Sequence, residues 1–331
     1  MRIIKLSRFL LLAALIFIAS IKLSPHFESL RELRNLWGDI RWKWVFVALI
    51  FQSGQYIGDG WLSQILLRLV DFRVNFKDTI KIASLSVFAA HLLPVGQAGA
   101  MAAIFHFYKK LGVNTGRIVF LSFAWGLISN LTLLFIFLAS ALFLPDAFLP
   151  SFHLPAFSLI AVGPLLSAGG ILIIKRRSLI TVLQKQLVKY AFTKKFLEYL
   201  GSWKHYKRSI LLQPGGIFLA FVAASIYHLT NIATLAFAFI AFGNMPSIAL
   251  LSFAYVVSVT AGLITFAPAG LGASEATLLL IFLNAGVEPK IAIGAVFIFR
   301  LLSFWLPIPM GFVSYLSLQR SKVRLPALHN F

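Results

Sequence analysis

The sequence predicts an all-α polytopic membrane protein, with about six spanning helices and two re-entrant helical hairpins that form an inverted repeat. Three observations predict this fold class: the hydrophobicity of the chain, a Pro-Gly motif that occurs twice, and the placement of the basic residues. Of the 331 residues, 60% are hydrophobic and 12% are charged, whereas a soluble domain carries about 25% charged residues. Windows such as 118–144 and 217–242 exceed the roughly 20 apolar residues that a spanning helix needs.

The apolar windows define the elements in chain order. We expect spanning helices at residues 9–23, 44–66, 118–144, 156–174, 216–242 and 290–318. Two further apolar segments, 80–108 and 247–285, are each interrupted by the Pro-Gly motif and are predicted to be the hairpins. The predicted organisation is an N-terminal span with a surface segment (1–43), a transmembrane domain that contains both Pro-Gly motifs (44–318) and a basic tail (319–331).

The Pro-Gly motif recurs with identical spacing in the two hairpins. Residues 94–113 and 268–287 both read Pro-x-Gly, then fifteen residues, then Gly-Val. Broken helices of this kind form the binding sites of many transporters, and irregular backbone at membrane depth must be buried in protein or line a cavity. The repeat blocks, near 80–144 and 247–318, therefore predict two broken tips that meet around a polar cavity.

Basic residues predict how the two blocks are oriented. The loops at 67–79, 109–117 and 175–208 are rich in Lys and Arg, the last with ten of them against one acid. The positive-inside rule places these loops, and both termini, on the cytoplasmic side of the cell membrane. The first hairpin then begins and ends inside, while the second begins and ends outside. Loop 24–43 departs from this pattern because it is predicted to be external yet carries four basic residues, and a short helix on the membrane surface would explain it.

The second tip carries the strongest candidate binding residues. Pro268 breaks the helix, and Gly270 and Gly272 permit a tight turn before Glu275 starts the next helix. Backbone N–H groups at a helix N-terminus favour an anion. Arg300 lies in the middle of the last apolar span, where its guanidinium suits a phosphate or a carboxylate. Three alternatives stay open: Arg300 binds Glu275, binds a lipid phosphate, or switches between them.

Further candidates lie at the first tip and on the second span. Pro94 and Gly96 form the first tip, and His91 precedes it by three residues. One face of span 44–66 carries a polar stripe of Gln52, Gln55, Asp59 and Ser63. Asp59 is the costliest of these residues in a bilayer, and we expect it in the cavity. Hydrogen bonding between helices is the alternative for this stripe, and also for His228 and Asn231.

The residue types present argue against several other functions. The net charge of +20 is explained by the basic loops between spans, so nucleic acid is not an expected partner. The chain has no cysteine, and no His, Asp or Glu set shows the spacing of metal ligands. No nucleophile–base pair and no nucleotide-binding loop stands out. We therefore expect no catalytic residues, no metal and no cofactor.

The ordered motifs resemble one known family. Residues 266–275, followed by Gly286-Val287, Arg300 and the segment 307–311, resemble the lysylphosphatidylglycerol synthase transmembrane-region family of flippase-like membrane proteins. The family pattern is Pro-x-Gly-x-Gly-x-x-Glu, a Gly-Val turn and an arginine in the following span. Many members also have Gly-Glu and an arginine after the first tip, and residues 99–102 hold neither here. The resemblance covers roughly residues 40–318.

The resemblance implies movement of a lipid between leaflets. Its candidate substrates are an anionic or aminoacylated phospholipid and a polyprenyl-phosphate-linked lipid, and a separate synthase or glycosyltransferase is a candidate partner. Members with a catalytic aminoacyl-transfer domain carry it beyond these spans; this chain ends at Phe331, so we expect it not to be an enzyme. The alternatives are an accessory subunit or enzyme of membrane glycosyl transfer, and a small-solute transporter with a closed cavity.

Single cysteines test the predicted topology, because the chain contains none of its own. We expect cysteines placed at positions 112 and 200 to react with a membrane-impermeant maleimide only from the cytoplasmic side. Cysteines at positions 148 and 287 should react only from outside, as measured on intact cells and on inverted vesicles. Labelling of positions 112 and 287 from the same side would contradict the inverted repeat.

Overall fold

A computed structural model of the chain describes residues 40–92, 96–144, 213–264 and 271–320, together with Gly38, and the regular elements in these ranges are all helices. The protein is therefore an all-α membrane protein, as predicted. The predicted spans at 9–23 and 156–174 lie outside the described residues, as do the basic loop 175–208 and the tail beyond Arg320. The count of six spans stays a prediction.

The described helices follow the predicted apolar segments. In chain order they are α1 (Trp42–Arg68), α2 (Phe76–Leu92), α3 (Gln97–Lys110), α4 (Thr115–Ala141), α5 (Pro214–Ala241), α6 (Ile248–Ile264), α7 (Ala273–Asn284), α8 (Pro289–Arg300) and α9 (Pro307–Arg320), with a π-turn (Leu301–Trp305) between α8 and α9. Within these ranges, α4, α5 and the continuous run from α8 to α9 are long and apolar enough to cross a membrane. At 27 residues, α1 is as long as α4.

Local residue chemistry explains where several helices begin. The Asn114 side chain accepts a hydrogen bond from the backbone N–H of Arg117 at 2.8 Å, which caps the free donors of α4. Pro214 and Pro289 occupy the first turns of α5 and α8, where the missing N–H of proline costs no helical hydrogen bond. These signals lie just before the predicted spans, so the apolar windows place the helix starts well.

Helices α1 and α5 pack antiparallel along their length. At one end, the backbone N–H of Arg41 donates to the carbonyl of Ala241 at 2.9 Å. At the other end, Leu69 packs so closely on Gly216 that a Cβ there would lie 2.5 Å from its side chain. Small residues that let helix backbones approach are a main source of helix association in lipid. The α1–α5 pair is the most extensive helix–helix contact in the described part of the chain.

Two glycines in α1 bring neighbouring helices up to its backbone on either side of Asp59. A Cβ on Gly58 would lie 2.7 Å from the backbone nitrogen of Tyr227 in α5, and a Cβ on Gly60 would lie 2.9 Å from that of Ile80 in α2. Neither backbone can move aside as a side chain could. The sequence Gly-Asp-Gly therefore encloses Asp59, whose exposed fraction is 7%.

Both Pro-Gly segments fold into paired helices. In the first hairpin α2 packs against α3, and in the second α6 packs against α7. Gly96 directly precedes α3 with φ at +51°, and Gly272 directly precedes α7 with φ at +86°, a conformation that favours glycine. Outside the described residues lie 93–95 and 265–270, including the candidate residues Pro94, Pro268 and Gly270.

Contacts at the helix ends place the two hairpins at opposite ends of the α1–α5 pair. Arg117 Nε donates to the carbonyl of Val70 at 3.0 Å, so the loops before α2 and after α3 meet at the end of α1. At the far end, the ring of Phe239 in α5 packs on Phe282 in α7 with centroids 4.4 Å apart. The structure thus has the opposed arrangement that the basic loops predict, while the end that faces the cytoplasm remains a prediction.

The glycine packing of α1 can be tested by adding one methyl group. We expect Gly58→Ala to lower the thermal unfolding temperature of the purified protein, because overpacking typically costs about 1–3 kcal/mol. Gly126→Ala in α4 is the matched control, since nothing lies within 4 Å of the added Cβ. The control should be neutral or slightly stabilising. Equal unfolding temperatures for both variants would contradict the close contact of α1 with α5.

Candidate functional site

Arg300 and Glu275 form an ion pair at the second tip. Arg300 Nε donates to Glu275 Oε1 at 2.6 Å, which joins the last residue of α8 to the first turn of α7. The side chains are 16% and 26% exposed, so both are largely shielded. A charge-assisted hydrogen bond is strengthened where the local dielectric is low. The carboxylate therefore neutralises an arginine that lies in the middle of an apolar run.

Glu275 also stabilises the start of its own helix. The backbone N–H of Gly272 donates to Glu275 Oε2 at 2.8 Å, which is the return contact of a capping box. The carboxylate thus caps α7 with one oxygen and binds Arg300 with the other. The sequence predicts the N-terminus of this helix as an open anion site, but at Gly272 the N–H already has a carboxylate partner. An incoming anion would have to share or displace this contact.

The π-turn brings the first hairpin to the second tip. The guanidinium carbon of Arg300 lies 5.4 Å from the ring centroid of Phe304, and His91 stacks on the same ring at 4.5 Å. His91 Nδ1 also forms a hydrogen bond with the Phe304 carbonyl at 3.0 Å. Since His91 lies in the last turn of α2, just before the first tip, both hairpins contribute to the surroundings of Arg300.

Prolines explain why the helix changes its hydrogen bonding after Arg300. The N–H of Leu306 donates to the carbonyl of Leu301 at 3.1 Å, one residue further back than in an α-helix. Pro307 and Pro309 have no N–H to donate, so two of the helical hydrogen bonds that would cross this segment are missing. The His91 ring supplies a side-chain partner for one carbonyl of the turn.

Exposed apolar residues adjoin the site residues in sequence. Leu271, Leu301 and Trp305, the neighbours of Gly272, Arg300 and Phe304, are 45%, 39% and 59% exposed.

Asp59 belongs to a different polar cluster. Trp125 Nε1 in α4 donates to Asp59 Oδ1 at 2.7 Å, and within the described ranges neither ion pair includes Asp59. The sequence places Asp59 and Arg300 in one substrate cavity, and that grouping stays a prediction. The Trp125 hydrogen bond connects α1 to α4.

His228 connects three helices inside the bundle. Its Nε2 lies 3.0 Å from Ser129 Oγ in α4, and its Nδ1 lies 3.1 Å from the Tyr255 hydroxyl in α6. All three residues are at most 5% exposed. The alternative of hydrogen bonding between helices therefore describes His228, while Asn231 donates to the Tyr227 carbonyl of its own helix.

Sequence reasoning missed the aromatic residues that hold these polar groups. Phe304 follows Arg300 by one helical turn, and the nearby Pro-x-Pro of residues 307–309 is a signal that could have marked the irregular turn. Trp125 lies 66 residues from Asp59, and no sequence pattern connects the two. In the described part of the chain, no group of three or more His, Asp or Glu side chains could hold a metal ion.

Comparison with known proteins identifies the family. The chain matches the family model of the lysylphosphatidylglycerol synthase transmembrane region over residues 6–311, and it therefore belongs to this family. A stretch of 81 residues is 28% identical to a UPF0104 membrane protein of Pyrococcus horikoshii and covers 24% of each chain. A stretch of 73 residues is 32% identical to a UPF0104 membrane protein of Methanothermobacter thermautotrophicus and covers 22% of each chain. The matched stretch spans less than a quarter of either curated relative.

The role of Gly272 can be separated from simple backbone strain. Gly272 and Gly286 have φ near +86° and +77°, with nothing within 4 Å of an added Cβ, so alanine should cost each about 1–2 kcal/mol of stability. We expect Gly272→Ala, but not Gly286→Ala, also to weaken binding of phosphatidylglycerol, as measured by native mass spectrometry. If the two variants have similar unfolding temperatures and both bind phosphatidylglycerol as well as the wild type does, Gly272 is needed only for the backbone conformation of the turn.

Proposed function

We propose that this member of the lysylphosphatidylglycerol synthase transmembrane-region family is a lipid flippase, which moves a phosphate-bearing lipid between the leaflets of the cell membrane. The observation that carries the proposal is the Arg300–Glu275 pair, 2.6 Å apart, where elements of both hairpins converge. The substrates that fit are an anionic or aminoacylated phospholipid and a polyprenyl-phosphate-linked lipid, because each carries a phosphate.

Arg300 supplies the positive charge for the headgroup. Guanidinium binds phosphate and carboxylate with the same planar fork, so a headgroup phosphate can replace Glu275 as its partner. An arginine without a partner at the centre of a bilayer costs about 2.5–3.5 kcal/mol even on insertion scales. Exchange of one anion for another avoids this cost, and it allows the lipid to bind and leave without a charge being left alone in the hydrocarbon.

The opposed hairpins provide a route between the leaflets. Transporters with inverted repeats bind their substrate near the midplane and move one repeat against the other. In this chain His91 of the first hairpin and Arg300 both contact the ring of Phe304, a residue of the π-turn that links them. We propose that movement of either tip shifts this link and opens the Arg300 site towards one leaflet at a time.

The exposure of the site favours a lipid over a small solute. Leu271, Leu301 and Trp305, which adjoin the site residues in sequence, are exposed apolar residues, and we propose that they form a rim along which acyl or polyprenyl chains stay in the bilayer while the headgroup reaches Arg300. A closed cavity, which the small-solute alternative requires, is harder to reconcile with this rim. A separate synthase or glycosyltransferase that makes the lipid is the partner this function implies, and we place both termini in the cytoplasm.

A leaflet-exchange assay tests the proposal. The purified protein is reconstituted into liposomes that contain a fluorescent phosphatidylglycerol, and an impermeant quencher reports the lipid that reaches the outer leaflet. Hydrogen bonds to charged groups contribute about 1.5–3 kcal/mol, so we expect Arg300→Gln and Glu275→Gln to slow exchange roughly tenfold or more. Arg73→Gln, which removes the same charge from an exposed loop residue, is the control and should exchange like the wild type.

A double variant separates a functional pair from a structural one. Apolar replacement of a whole buried ion pair is often tolerated for stability, whereas removal of one partner is not. The variant that combines Glu275→Leu with Arg300→Met should therefore fold but move no lipid. Exchange at the wild-type rate in this double variant would sink the proposal, because it would show that the two residues only neutralise each other.

A further inference from the structure

Asp59 is an acid enclosed in the helix bundle, apart from the Arg300–Glu275 pair. Its residue is 7% exposed, and Gly58 and Gly60 hold the backbones of α5 and α2 against α1 on either side of it. Its described hydrogen bond comes from Trp125 in α4 at 2.7 Å. The family pattern that identifies the second tip does not involve this residue, so its chemistry needs an explanation of its own.

The groups that face Asp59 provide no positive charge. Its own helix contributes Tyr56, α3 contributes Tyr108 and α5 contributes Tyr227, and all three phenols lie close enough to interact with it electrostatically. From α2 it is Ile80 that packs at this level, and α4 contributes the indole of Trp125. His228, the next residue after Tyr227, is engaged with Ser129 and Tyr255. In the described ranges, therefore, no cation balances Asp59.

Two amides on the Asp59 face of α1 contain buried polar atoms without partners in the described part of the chain. Gln52 and Gln55 lie seven and four residues before Asp59, on the same helical face. They are 0% and 5% exposed, and among the described residues both polar atoms of Gln52 and the Nε2 of Gln55 have no hydrogen-bond partner. Buried polar groups are normally satisfied, and exceptions mark places where another species or another conformation completes the hydrogen bonding.

We propose that Asp59 binds a proton, and that release and uptake of this proton accompany the movement of lipid. A buried carboxylate without a cation is costly when ionised, and neutralisation by a proton removes that cost. The step is simple: the carboxylate and a proton from water form a carboxylic acid, and the reverse step returns the proton to water. The coupling rests on the proposed lipid movement, whereas the proton site itself does not.

A row of buried hydrogen bonds connects this region to the second tip. On α4, Ser129 follows Trp125 by one turn and bonds His228, which bonds Tyr255 in α6. Ser258 Oγ in turn donates to the Tyr255 carbonyl at 2.8 Å, and Ser274 Oγ donates to the Ser258 carbonyl at 3.0 Å. Ser274 adjoins Glu275. These hydrogen bonds provide a contiguous path by which a change of charge at Asp59 that shifts α4 or α5 would reach the helix that holds Arg300's partner.

Protonation is measured first, without any lipid transport. Infrared difference spectra of the reconstituted wild type, recorded over a pH series, should contain a carboxylic acid band that disappears as the pH rises. Asp59→Asn should lack this band, and it should still fold because its side-chain oxygen can accept from Trp125. Asp71→Asn is the matched control, since Asp71 is exposed and has φ at +55°, which asparagine tolerates. Absence of an Asp59-dependent band would overturn the proposal.

Coupling is measured in the same liposomes with a trapped pH dye. An imposed pH gradient should accelerate exchange of fluorescent phosphatidylglycerol by the wild type and by Asp71→Asn, and the dye should report proton movement into or out of the lumen. In Asp59→Asn the exchange rate should be the same with either direction of the gradient as without one. Exchange that depends on Na⁺ but not on the gradient would overturn proton coupling. If the wild type moves no lipid while the infrared band titrates, the proposed function fails and the proton site is supported.

Discussion

An arginine in the middle of an apolar run is the constraint on which the described architecture depends. Arg300 cannot lie at membrane depth without an anion, and Glu275 supplies it at 2.6 Å. That contact brings the first turn of α7 to the level of Arg300. Glu275 also binds the N–H of Gly272 and so caps the helix that begins there. One carboxylate thus fixes both a charge and a helix terminus.

The acidic side chain of Asp59 is accommodated among the helices in a different way. There the backbone of α1 is brought against two neighbours by glycine, and an indole N–H is the described partner of the acid. No cation is present among the described groups that face it. The bundle therefore contains two largely shielded acids in opposite situations, because Glu275 has a permanent counter-charge and Asp59 has none among the described residues. A carboxylate with a permanent counter-charge, such as Glu275, suits recognition of a charged group. A carboxylate without one, such as Asp59, suits gain and loss of a proton.

Features that depend on nearby sequence could be predicted, and features that depend on distant contacts could not. The starts of α5 and α8 follow from prolines before long apolar windows. The opposed hairpins follow from the basic loops, and Arg300 and Glu275 stand out because charge is expensive in an apolar run. Which anion Arg300 binds could not be predicted, since carboxylate and phosphate fit it equally well. The contact of Trp125 with Asp59 could not be predicted either, because it joins residues 66 positions apart on different helices.

The capping role of Glu275 decides which partner moves in the proposed transport cycle. Glu275 accepts a hydrogen bond from the N–H of Gly272 at the start of α7, and the neighbouring Ser274 donates to a carbonyl of α6. Movement of the Glu275 carboxylate away from Gly272 would therefore uncap α7. Arg300 instead precedes a π-turn in which Leu306 bonds one residue further back than in an α-helix. Conversion of such a turn to α-helical bonding changes the rotation of the residues before it relative to those after it. Rotation at the π-turn can therefore carry Arg300 from carboxylate to phosphate while the second tip stays folded, and His91, bonded to the same turn, makes this rotation sensitive to the first hairpin.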